Sequence, residues 1–70
     1  MRYAALDAAV RDAERFLSAA KGLKKAVAQD RLDFPEHTFV ITADYPKQVV
    51  MVRRLSSDLS NTLTILRRST

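Results

Sequence analysis

Seventy residues with no cysteine and one glycine exclude disulfides, thiolate metal sites, thiol nucleophiles and glycine-rich phosphate loops. Hydrophobic residues at 47% and charged residues at 29% give the balance of a folded chain rather than a disordered one. The net charge of +4 directs attention to phosphates, nucleic acid, acidic proteins or anionic lipid as partners.

One domain, 1–70, is expected. A core of this size rarely supplies more than ~3–5 kcal/mol. With disulfides excluded, helix packing and self-association are the remaining sources of stability. No apolar run approaches the ~18 residues of a membrane span. The opening residues lack the basic, apolar and small-residue series of a signal peptide. A cytoplasmic location is expected, with no membrane partner.

From Arg2 to about Gln29 the apolar residues follow a helical period. Tyr3, Leu6, Val10, Ala13, Leu17 and Ala20 recur at steps of three and four, and Phe16, Leu23 and Val27 widen the stripe. Asp7, Arg11, Asp12, Glu14 and Arg15 are assigned to the other side, with Asp7–Arg11 as an i,i+4 pair. Gly22 either ends the helix after Lys21 or lies inside it. The period resumes at Leu23 and Val27, which favours continuity.

Residues 30–45 change character. Pro35 disfavours helix at Phe34. Thr38-Phe39-Val40-Ile41-Thr42 is β-branched and aromatic, the composition of a short strand. No second strand is visible to satisfy its backbone groups. The strand therefore predicts pairing with its own copy in a two-fold dimer, or addition to a partner's sheet; as a mere connector it would be satisfied by water. Asp44 suits an N-cap or pre-cap position, and Pro46 suits the first helical turn.

Pro46 to Thr70 reads as one amphipathic helix. Val52, Leu55, Leu59, Leu63 and Leu66 form its apolar stripe. Arg53, Ser57, Ser60, Thr64, Arg67 and Arg68 lie opposite, flanked by Arg54, Asp58 and Asn61, with Arg54–Asp58 as an ion pair. Met51 and Ile65 fall off the stripe, exposed in a simple hairpin, which points to a second packing surface. The expected fold is mainly α: an antiparallel two-helix hairpin with a short extended or β segment between the helices, associating as a homo-oligomer. Phe39, Ile41, Met51 and Ile65 are its expected oligomer contacts.

No enzyme, cofactor or metal site is expected. His37 lies near Asp33, Glu36 and Asp44, but at no spacing of a metal signature. The candidate binding residues are Arg53, Arg54, Ser57, Asp58, Ser60, Asn61, Thr64, Arg67 and Arg68. Guanidinium forks and hydroxyls suit phosphate and carboxylate; a solvated surface would also carry such residues. A strand followed by a helix resembles the ribbon-helix-helix DNA-binding repressors over Thr38 to about Arg54. Against this, Thr38, Val40 and Thr42 offer no side chain for base edges, and no turn splits the closing helix.

The segment Val52-Arg53-Arg54-Leu55-Ser56-Ser57-Asp58-Leu59-Ser60-Asn61-Thr62-Leu63, followed by Leu66-Arg67-Arg68, resembles the terminal helix of small helical proteins of bacteriophages and prophages. Arg53, Arg54, Ser56, Asp58, Ser60, Arg67 and Arg68 carry the match, over about a quarter of the chain. The resemblance implies a phage setting and host cytoplasm. It implies an inhibitor of host defence (anti-CRISPR-like) or host machinery, or a protein that sequesters a phosphorylated signalling ligand. Three functions therefore compete: a non-enzymatic binding protein of this kind, a dimeric DNA-binding regulator, and a structural oligomerisation module.

Overall fold

A computed structural model of the chain describes residues 1–69. Three helices follow one another: α1 (Tyr3–Asp33), the single turn α2 (Ile41–Asp44) and α3 (Pro46–Arg68). The helices α1 and α3 pack against each other as a hairpin of 50 × 17 × 14 Å. Its radius of gyration is 15.6 Å, where a compact domain of this length has ~11 Å. No third layer covers the pair. The closing helix read to Thr70 runs to Arg68, and Thr70 lies outside the described residues.

The first helix is continuous through Gly22 and runs one turn past Gln29. It stops where Pro35 forces it to. Phe34 leaves the helical region at φ −131°, ψ 68°, and its N–H donates to the Asp30 carbonyl at 2.8 Å. Gly22 is exposed, and a Cβ there would meet nothing within 4 Å. Gly22→Ala therefore keeps the fold and removes the conformational cost of a helical glycine. It should stabilise the chain by about 1 kcal/mol, read as a higher urea midpoint; a lower midpoint would show that something outside the hairpin packs on Gly22.

The face of α1 turned to α3 is the predicted one only in part: Phe16, Leu23 and Val27 belong to it as expected, and the larger residues of the main stripe do not. Ala5, Ala9, Asp12, Phe16, Ala19, Leu23 and Val27 are buried or half-buried, while Tyr3, Leu6, Val10 and Leu17 are exposed. The alanines let α3 approach closely, and packing against a near backbone gains contacts that larger side chains would hold apart. Asp12, assigned to the solvent side, is one of the most buried residues of the chain. On α3 the predicted stripe is the one that packs. Val52, Leu55, Leu59 and Leu66 are half-buried, with Leu63 at the margin.

The expected strand is absent: the described residues contain no strand. Val40 is extended, and Ile41–Asp44 forms α2. The Asp44 carboxylate accepts the Val40 N–H at 2.7 Å, and the Val40 carbonyl accepts the N–H groups of Ala43 and Asp44. The groups that Val40 would offer to a partner strand are thus taken locally, much as in the reach-back half of a capping box. Phe39 is half-buried, edge-on to His37 at 4.5 Å between centroids and 6.2 Å from Tyr45. Its ring packs within its own chain. Ile41 borders a depression of its own chain lined by Leu23, Val27 and Arg31.

Tyr45 forms the corner of the hairpin. It is buried, and its hydroxyl donates to the Asp30 carboxylate on the last turn of α1. Its carbonyl accepts the Val49 N–H at 3.0 Å, the first bond of α3, and Pro46 occupies the first helical position as expected. Asp44 precedes this cap and makes no cap bond to α3. At the open end the Arg2 N–H reaches the Ser69 hydroxyl at 3.5 Å.

Candidate functional site

All nine candidate residues lie on α3, and eight of them are exposed; Thr64 is half-buried. Helical rotation spreads them over about half the circumference, the half turned away from α1. Arg53, Ser60, Thr64 and Arg67 form the row on the side of α1 that carries Tyr3, Leu6 and Leu17. Arg54, Asp58, Asn61 and Arg68 form a second row, and Ser57 lies between the two. The structure brings them together as one convex helix face, whose Arg68 also borders a depression lined by Ala4, Ala8 and Ile65.

Their hydrogen bonds separate two groups. The Thr64 hydroxyl donates to the Ser60 carbonyl at 2.9 Å, and the Arg67 Nε–H to the Leu63 carbonyl at 3.4 Å. Thr62 likewise donates to Leu59 and Asp58 carbonyls at 3.0 and 3.2 Å. Two of the five hydroxyls between positions 56 and 64 therefore serve the helix itself. The hydroxyls of Ser56, Ser57 and Ser60 make no hydrogen bond to another described residue, and Arg53, Arg54 and Arg68 make no ion pair with one. The expected Arg54–Asp58 pair is open. So is Asp7–Arg11, because Arg11 turns to Asp12 at 3.9 Å instead.

The charge is distributed unevenly along the chain. Over its helical span α3 has five basic residues and one acid, an excess equal to the net +4 of the whole chain. The acids of α1 nearly balance its bases. The loop holding Asp33, Glu36 and His37 is an open depression. Among the described residues no group of three or more His, Asp or Glu side chains could hold a metal ion. No helix among them is long and apolar enough to cross a membrane.

Sequence reasoning missed Tyr45, Asp30 and Asp12. A signal was present: Asp12 and Asp30 fall on the same seven-residue spacings as Ala5, Ala9, Phe16, Ala19 and Leu23. Two acids on an otherwise apolar row are what a buried polar contact requires. Met51 and Ile65 are exposed as expected. They border the groove on the opposite side of the hairpin, with Ala19, Gly22 and Leu55 near Met51 and Ala4, Ala8 and Ser69 near Ile65. Compared with protein-family models, with curated proteins and with solved structures, the chain matches none of them.

Proposed function

We propose that this chain is a non-enzymatic binding protein that presents the outer face of α3 to an acidic macromolecular surface. The observation that carries the reading is the set Arg53, Arg54 and Arg68. These three guanidinium groups are exposed, have no ion-pair partner among the described residues, and lie on the helix that holds the chain's charge excess. Arginine forks bind carboxylates in pairs of parallel hydrogen bonds, and the unengaged Ser57, Ser60 and Asn61 beside them supply short-range polar contacts.

A convex helix suits a protein partner better than a small ligand. Small-ligand sites are concave and bury most of the ligand, and the α3 face offers no such enclosure. This weighs against the sequestering of a phosphorylated ligand. The ribbon-helix-helix reading loses the strand on which it rested, since residues 37–40 form no strand and Ile41–Asp44 is α2. The resemblance of α3 to phage and prophage helices directs the proposal towards an inhibitor that occupies an acidic surface of host machinery.

A photo-reactive side chain at Ser57 or Ser60, with Gln29 as the control position, tests this in lysate of candidate host cells. The expected product is one acidic protein cross-linked from α3, absent from Gln29, and lost when Arg53, Arg54 and Arg68 are all changed to Ser. Helical content by circular dichroism should not change, because none of these side chains holds the fold. Cross-linking that survives the triple substitution would overturn the reading. A product that is nuclease-sensitive would replace it with nucleic-acid binding.

A further inference from the structure

The side of the hairpin that carries Met51 and Ile65 is concave along its length. Three depressions follow one another between α1 and α3, from Lys47 and Gln48 near the corner, past Ser18 and Leu55, to Ser69 at the open end. The groove runs ~33 Å, nearly the length of α3. Ala4, Ala8, Ala19 and Gly22 form its floor on α1. A Cβ at Gly22 would meet nothing within 4 Å, so the floor is open there. Met51 and Ile65, 53% and 58% exposed, stand on the α3 wall about four turns apart.

The walls of the groove are basic. Arg2, Arg11, Arg15, Lys47 and Arg68 line the three depressions, and helical rotation sets Arg54 on the same side of α3. The acids beside them are Glu14 and Asp58. Among the described residues Arg15, Lys47, Arg54 and Arg68 make no ion pair, and Arg11 has one contact of 3.9 Å, to Asp12. An apolar floor between basic walls matches an occupant of the reverse pattern, an apolar stripe flanked by acids. The hairpin has surface to spare for it. The chain exposes 5654 Å², whereas a folded monomer of its mass exposes about 4,400 Å². The excess, about 1,200 Å², exceeds the ~800 Å² that each partner loses in a standard stable interface.

We infer that the groove takes an acidic amphipathic helix of a partner protein, seated between α1 and α3 as the third helix of a bundle. The inference rests on the acidic-partner reading above, with which it shares Arg54 and Arg68, and adds the element that the partner presents. A second copy of the chain does not fit. Its α3 carries an excess of base, and the acids and bases of its α1 nearly balance. A phosphate backbone would match the walls but not the floor, where Ala4, Ala8 and Ala19 offer no side-chain donor. An added strand finds no free edge, because both walls are helices. A helix satisfies its own backbone and brings apolar residues at steps of three and four to Met51, Ile65 and the alanine floor.

The probe is a labelled helical peptide of about 21 residues, enough to span the groove, with leucine on one stripe and glutamate on both flanks. Fluorescence anisotropy should show it binding the full chain at least tenfold more tightly than a scrambled peptide of the same composition. Arg15→Ser with Lys47→Ser, one from each wall, should weaken it at least tenfold. Lys21→Ser with Lys24→Ser removes the same charge outside the groove and should weaken it less than threefold. Gly22→Trp, which fills the floor where no side chain stands, should weaken it at least tenfold while circular dichroism stays helical. No preference over the scrambled peptide, or equal losses from the two charge pairs, would overturn the inference. So would a Gly22→Trp chain that is folded and binds as before, or displacement of the peptide by an equal concentration of duplex DNA. Binding that follows Arg53 rather than Arg15 and Lys47 would overturn the groove alone and leave the partner on the outer face of α3. Cross-links from Ser57 that survive the triple arginine substitution would overturn that earlier reading, whatever the peptide does.

Discussion

Tyr45→Phe will lower the melting temperature at neutral pH, and its gap to the wild type will close as the pH rises into the alkaline range. The reason is one hydroxyl. Tyr45 is buried at the corner, and its O–H donates to the Asp30 carboxylate on the last turn of α1. That bond, first, then burial and the negative charges of Asp30 and Asp44, push the Tyr45 hydroxyl up to about 12, with Arg31 opposing. In the unfolded chain it titrates near ~10. The folded form therefore holds this proton more tightly than the unfolded form. The stabilisation is complete below about pH 10 and is lost as the pH rises towards 12. Other groups titrate there too, so the measurement is the difference between wild type and Tyr45→Phe. Melts by circular dichroism across that window should show the gap between them closing as the pH rises. A constant gap would mean that the hydroxyl does not hold the corner. A Tyr3→Phe background leaves Tyr45 as the only tyrosine, so its titration can also be followed by absorbance.

The corner also explains how much of the fold the sequence disclosed. The apolar residues of α3 form one stripe, so its packing face could be read directly: Val52, Leu55, Leu59 and Leu66 meet α1. The first helix has two stripes. Ranking them by side-chain size selects Tyr3, Leu6, Val10 and Leu17, yet α3 packs on the row that joins Ala5, Ala9 and Ala19 to Phe16, Leu23 and Val27. Nothing in hydrophobic periodicity ranks this mixed row above a row of large residues. Close approach of the backbones does, and so does the Asp30–Tyr45 bond, which joins residues fifteen apart and fixes the rotation of α1 at the turn. The segment Thr38–Thr42 failed for a related reason. Its β-branched composition is a weak local preference. The Asp44 carboxylate satisfies the Val40 N–H and starts a helical turn instead. The candidate site was more legible, since opposite faces of one helix follow from spacing alone. Which of its hydroxyls are used up by the helix did not follow. Thr62 and Thr64 turn to carbonyls three or four residues back, while the hydroxyls of Ser57 and Ser60 make no bond to another described residue.

Asp12→Ala is expected to make the chain more stable, although it removes a charged side chain that looks engaged. Asp12 lies on the alanine-rich row between Ala9 and Phe16, and its side chain is 12% exposed. Its one ion-pair partner among the described residues is Arg11, whose Nε is 3.9 Å away and whose own side chain is 60% exposed. A contact that long, to a group that water also solvates, does little to offset the loss of hydration at the carboxylate. Alanine keeps the Cβ that faces α3 and matches the small neighbours at Ala5, Ala9 and Ala19, so no cavity or clash is added. Helix propensity also improves, by roughly 0.5 kcal/mol. The total gain should be about 1–2 kcal/mol in urea melts at neutral pH. Asp12→Asn separates charge from polarity. It removes the ion but still buries an amide, so it should fall between wild type and Asp12→Ala. An Asp12→Ala chain less stable than wild type would show that the carboxylate receives a donor across the α1–α3 seam. Asp12 would then hold the two helices together at mid-seam, as Asp30 does at the corner.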